Sequence, residues 1–125
     1  MILTYLAGLG SMLALDAVWL SLAGPRLYRP ALGDELAENF APAPAVLFYL
    51  VYMAGLTTLT VGRSKAESAA RGALFGLSAY GTYDLTNQAT LRQWPTYLTA
   101  ADLAWGTALS AVAAYAAASV RERLR

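Results

Sequence analysis

Residues 43–62, APAVLFYLVYMAGLTTLTVG, contain no charged side chain. A helix on the surface of a soluble bundle needs a polar outer face, and this stretch offers none. Crossing the hydrocarbon of a bilayer takes about 20 largely apolar residues, which is the length present here. Stretches 2–23, 72–91 and 96–120 have the same character, each carrying one charged residue, always an aspartate. Together the four nearly exhaust the 125-residue chain. The sequence therefore predicts a single integral membrane domain over 1–125, an all-α antiparallel bundle of four transmembrane helices, with 24–42 as its one sizeable loop.

Composition narrows the chemistry. Charged residues make up 14% of the chain, against about 25% in soluble domains, and the mean hydropathy is +0.44. A net charge of +1 provides no field for nucleic acid and no acidic surface for a basic partner. With no cysteine and no histidine, the chain cannot supply Ser-His-Asp or Cys-His machinery, and it lacks the usual zinc ligands. Ser21-Leu22-Ala23 looks like a small-x-small cleavage site. The absence of a basic segment in MILTYL, with Asp16 and Trp19 inside the apolar run, argues for a retained span instead.

Lysine and arginine set the expected orientation. With four spans, both termini and the 62–71 connection share a side, which holds Arg63, Lys65, Arg71, Arg121, Arg123 and Arg125; the other side holds Arg26, Arg29 and Arg92. Six against three places both termini in the cytoplasm. In the outer loop, Tyr28, Leu32, Leu36 and Phe40 recur every four residues, with Pro30 suited to a first helical position, a pattern that fits a short amphipathic helix lying on the outer surface; Gly33 and the extended FAPAPA fit equally an ordered loop packed over the bundle.

Helical rise converts position into depth. Asp16, Asp84 and Asp102 each fall about 9–11 Å below the outer boundary at 1.5 Å per residue, and Tyr49 and Tyr52 fall at about 9–14 Å. Tyr80, Tyr83, Asp84 and Asn87 follow i, i+3, i+4, i+7 spacing and so share one helix face. Gly72 and Gly76 continue that line as GALFG, a GxxxG pattern that permits close helix approach. Tyr5, Gly8, Met12, Asp16 and Trp19 form a comparable stripe on the first span, as do Asp102, Trp105, Gly106, Leu109 and Ala113 on the last. The inner half reads as a closed seam of small residues and the outer half as a polar pocket. LDAVWL and ADLAWG share Asp-x-x-Trp but lie on spans of opposite direction, so they are not read as a duplication.

Two ionised carboxylates about 5 Å apart repel by roughly 3 kcal/mol at an effective dielectric of 20. Three bare anions are untenable. A proton, a descending Arg26, Arg29 or Arg92, or a cationic ligand must offset them. A ligand-binding set of Asp16, Asp84, Asp102, Asn87, Tyr80, Tyr83, Tyr49, Tyr52, Trp105 and Arg92 follows, with Gly72 and Gly76 assigned to packing. No DxxD or similar run favours a metal, and no cofactor is indicated. The favoured function is binding or translocation of a small cationic or protonatable ligand, for which four spans would need a homo-oligomer or a larger membrane partner. A membrane enzyme, with an aspartate as general acid or base, is one alternative. A purely structural subunit, its acids serving as interhelical hydrogen-bond glue worth about 0.6 kcal/mol per contact, is another.

GALFGLSAYGTYDLTNQATL, the following Trp94, DLAWG and the amino-terminal DAVWL resemble, over almost the whole chain, a bacterial domain-of-unknown-function family of small inner-membrane proteins. The resemblance implies four helices in a bacterial inner membrane. It also points to lipid modification as the setting of the alternative, enzyme or accessory-subunit, function.

Overall fold

A computed structural model describes residues 1–125. The protein is all-helical, without strands. Its four long helices are α1 (Ile2–Ala23), α3 (Pro42–Thr60), α4 (Lys65–Thr90) and α5 (Thr96–Arg123), with a short α2 (Arg29–Leu32) between the first two. α1 with its continuation, α3 and α5 are long and apolar enough to cross a membrane. α4 is long enough but more polar than the other three. Lys65, Glu67 and Arg71 occupy its first turns, and Ser78, Thr82, Asp84, Thr86, Asn87 and Gln88 interrupt its second half.

The helix starts follow local chemistry. α4 begins seven residues before its apolar stretch because Ser64 caps it: the Ser64 hydroxyl accepts from the Glu67 N–H at 3.0 Å, and the Glu67 carboxylate accepts from the Arg63 N–H at 2.8 Å. These contacts satisfy donors that a helix start otherwise leaves open. α3 starts on Pro42, whose missing N–H costs nothing in a first turn.

α5 is the hub, packing most extensively on α4 and then on α1. Gly72 faces the Ser110 carbonyl and Ala114, Gly76 faces the Gly106 carbonyl and Ser110, and Gly81 faces Leu103. On the other flank, Gly8 of α1 meets Ala113 and Ala117. The small residues of α5 thus admit two neighbours at once. Met12, Tyr52, Met53, Leu56, Leu109, Ala113 and Ala114 form the core cluster beside this seam. At its far end the Arg121 guanidinium donates to the carbonyls of Val61 and Gly62, at 3.3 and 2.7 Å. Those are the acceptors left over where α3 stops. Val46, Leu47, Val51, Leu59 and Leu74 point outward, the distribution expected of a chain whose solvent is lipid.

Residues 24–42 depart from the amphipathic surface helix that their four-residue spacing suggested. α1 instead runs on through a π-helical turn, Gly24–Tyr28, directly into α2. Gly33, at φ 52°, ends α2; this is the left-handed region, where a side chain would be strained. The supposed stripe is split: Leu32 is buried, whereas Phe40 is 78% exposed.

Candidate functional site

The π turn decides which residues meet. At about 100° per residue, an unbroken α-helix would place Leu27 within about 20° of Asp16 and Tyr28 about 120° away. Pro25 has no N–H to give to the preceding turn. The chain widens there, so that the Arg29 N–H reaches back to the Gly24 carbonyl, five residues earlier. One extra residue is absorbed, and Tyr28 rotates towards the face that Leu27 would have held. Its hydroxyl donates to Asp102 Oδ1 at 2.5 Å and accepts from Trp19 Nε1 at 2.9 Å.

Asp16 is served from two other helices. Its Oδ1 accepts from Trp105 Nε1 at 3.0 Å, and its Oδ2 accepts from the Tyr49 hydroxyl. Trp19 and Trp105 stack nearly parallel, with centroids 4.7 Å apart and planes 7° apart. The two Asp-x-x-Trp segments therefore have a shared use. Residue numbers rise along α1 where they fall along α5, so each indole lies near the other segment's aspartate. Trp105 donates to Asp16 directly, and Trp19 reaches Asp102 through Tyr28.

These contacts add, for Asp16 and Asp102, a source of stabilisation that the sequence reading did not include. Neutral phenol and indole N–H and O–H groups stabilise Asp16 and Asp102, and hydrogen bonds to a charged acceptor contribute about 1.5–3 kcal/mol each. No arginine descends to them: the ion pairs are Lys65–Glu122 and Arg71–Glu67, far along the chain from the acids. Asp102 Oδ2 accepts no hydrogen bond from a phenol, an alcohol or an N–H group.

Above this polar floor opens a cavity of about 1180 Å³. Asp16, Asp102, Trp105 and Tyr28 form its base, Leu20, Pro44, Phe48 and Ala79 are among its apolar walls, and Arg29 lines it as its one basic residue. Of the residues singled out from sequence, Asp16, Tyr52, Tyr80, Tyr83, Asp102 and Trp105 line the cavity. Tyr83 is 60% exposed and packs edge-on against Trp94, which also lines it. Tyr80 lies over Gly106, and the Tyr52 hydroxyl pairs with Ser110 Oγ at 2.6 Å. Tyr49 does not line the cavity but holds Asp16 from behind. Asn87 is half-buried away from the cavity and Arg92 is exposed beyond it. Asn87 lies a turn beyond Tyr83 near the end of α4, and Arg92 lies past that end in the link to α5.

Asp84 is the exception among the acids. It is wholly buried and does not reach the cavity. Neither of its carboxyl oxygens has a hydrogen-bond donor. Gly76 and Tyr80 lie against Gly106, and Gly81 lies against Leu103, so the antiparallel register of α4 on α5 brings Asp84 to the Asp102 carboxyl. Sequence reasoning placed Tyr28 only in the loop stripe, named Arg29 only as one of three arginines that could reach the acids, and missed the hydrogen-bonding role of Trp19. The available signal was Gly24-Pro25, which marks a register shift at the end of an otherwise uninterrupted helix.

With this geometry in view, the relationship to known proteins is simple to state. The family model described as "Predicted membrane protein (DUF2177)" matches residues 1–119. No curated protein matches the chain, and no solved structure does. The chain belongs to this family of predicted membrane proteins.

Proposed function

We propose that this membrane protein of the DUF2177 family binds, or carries across, a cation with a substantial apolar body. In this reading it lies in a bacterial inner membrane, α1, α3, α4 and α5 all cross in alternating directions, and both termini are cytoplasmic. α4 can be the most polar of the four because α5 covers the face that carries Asp84, Gly72 and Gly76. The six-to-three excess of lysine and arginine supports the orientation.

One observation carries the function: two carboxylates lie at one end of a cavity whose walls are mainly apolar and aromatic, with Arg29 as its one basic residue. Small-molecule pockets commonly span about 300–1,000 Å³, so a cavity of about 1180 Å³ is far larger than a bare proton or metal ion requires. A cationic head on Asp102 and an apolar body along Phe48 and Leu20 match its two chemistries. The stacked indoles add aromatic faces of the kind that attract ammonium groups.

Dodecyltrimethylammonium, titrated into the protein in non-ionic dodecylmaltoside micelles, is expected to bind with a change in tryptophan fluorescence. Asp102→Asn removes an attraction of roughly 3 kcal/mol at about 5 Å and an effective dielectric of 20, so Kd should rise by about two orders of magnitude. A neutral dodecyl compound that binds equally well, or an Asp102→Asn protein with unchanged affinity, sinks the cation reading. Lipid-sized apolar walls also suit the alternative of a lipid-modifying enzyme or its accessory subunit, and turnover of a lipid by the purified protein would select that reading.

The orientation has its own test. Cysteine is absent from the chain, so Ser64→Cys and Glu38→Cys each introduce a single label site. An impermeant maleimide added to intact cells should modify the Glu38 position and spare the Ser64 position. The opposite pattern reverses the topology.

A further inference from the structure

Asp84 presents a problem that the binding role leaves unsolved. A carboxylate buried without a donor is among the costlier groups a fold can contain, and here the group facing it is another carboxyl. Two carboxyls in contact cannot both be ionised without severe repulsion, so they coexist by sharing a proton. The surroundings provide no other compensation. Tyr28, from the continuation of α1, donates to Asp102, and Asp16 of α1, Tyr52 of α3 and Tyr80 and Tyr83 of α4 line the same cavity. All are acids or phenols. Arg29, the basic residue of the cavity, makes no ion pair with either carboxyl.

We infer that Asp84 and Asp102 together hold one exchangeable proton, and that a cation reaching Asp102 displaces it, linking ligand binding to proton release. The inference rests on the binding role proposed above and specifies how it is regulated. In the empty site Asp84 is the acid and donates to Asp102, the anion. Asp102 alone of the two borders the cavity, so a ligand cation meets Asp102 first. Its positive charge beside Asp102 favours a second ionised carboxyl and so weakens the hold of the pair on its proton. The O–H bond of the pair breaks, its electrons stay on the carboxyl oxygen, and the proton leaves through Asp102 to water at the cavity mouth. Charge balances: a cation and a singly negative pair become a cation on a doubly negative pair, plus one proton. By reciprocity, protons weaken cation binding as much as the cation weakens proton binding. Such a site can exchange one for the other.

The test is calorimetric titration of dodecyltrimethylammonium, whose own charge is independent of pH, in dodecylmaltoside micelles. Measurements in two buffers of different protonation enthalpy, from about pH 6 to about pH 9, count the protons released. The wild-type protein should release about one proton per ligand within that window, with Kd falling by up to tenfold per pH unit. Asp84→Asn puts a permanent N–H donor against Asp102, mimicking the protonated state. It should still bind, more weakly at high pH, with no proton release and a flat pH profile. The infrared C=O stretch of a protonated carboxyl in the wild-type protein provides a second measurement that needs no variant. It should be present in the free protein and lost at saturation. Binding without proton release, or an Asp84→Asn protein that still releases a proton, overturns the linkage while leaving the binding role intact. No binding at any pH overturns both.

Discussion

Gly76→Leu is expected to melt far below the wild-type protein in detergent, while Gly10→Leu melts with it. Both glycines sit on long helices, but Gly76 is buried and Gly10 is exposed. A Cβ at Gly76 would collide with the Gly106 carbonyl and lie 2.5 Å from Ser110 Oγ, whereas nothing lies within 4 Å of one at Gly10. Backbone cannot move aside as the end of a flexible side chain can. α4 and α5 would have to separate along the seam where their contact is most extensive. Overpacking commonly costs about 1–3 kcal/mol and occasionally more. A whole leucine against backbone belongs at or above the upper end. Gly72→Leu should behave similarly, since its Cβ would lie 2.6 Å from the Ser110 carbonyl and 2.7 Å from Ala114. Equal melting of Gly76→Leu and Gly10→Leu would show that this seam is not where the helices close.

Asp16→Ala is expected to cause the other large loss. The carboxylate accepts from Tyr49 of α3 and Trp105 of α5, so it ties three helices at one point. Alanine leaves a phenol and an indole N–H facing an apolar cavity wall, at about 1–3 kcal/mol for each orphaned donor. Asp16→Asn keeps one acceptor oxygen and should recover part of the difference. Asp84→Asn should show the contrary behaviour, with stability unchanged or raised, because no donor reaches the Asp84 oxygens and the amide keeps an N–H towards Asp102. Thermal melts of the three variants therefore separate the acid that accepts from two other helices from the acid that accepts from none. If Asp16→Ala melts with the wild type, the Tyr49 and Trp105 contacts contribute nothing, and the acid is not a structural tie.

The positions of the helices were legible in the sequence because length and apolarity act locally. The stretch 2–23 is α1 as it stands, and 96–120 lies within Thr96–Arg123. The early start of α4 was also written locally, in Ser64 and Glu67, although an apolar threshold passes over it. The convergence of Asp16, Asp84 and Asp102 followed from helical rise, since 1.5 Å per residue puts them at similar heights.

What the pocket contains was another matter. Height says nothing about which face of a helix meets which neighbour, and that angle is set by packing. The small residues of α5 let α4 and α1 close on both its sides, bringing Asp102 against Asp84 and Trp105 against Asp16. Asn87 and Arg92, near and past the end of α4, lie outside the cavity. One π turn at Gly24-Pro25, invisible to a strict 3.6-residue period, exchanged Leu27 for Tyr28 on the inner face and so supplied the donor to Asp102. Composition and spacing along the chain determined that there would be helices, and at what height their acids lie. Only the lateral fit of one helix against another decided which acids are satisfied by neutral donors, and which one is left facing a second carboxyl.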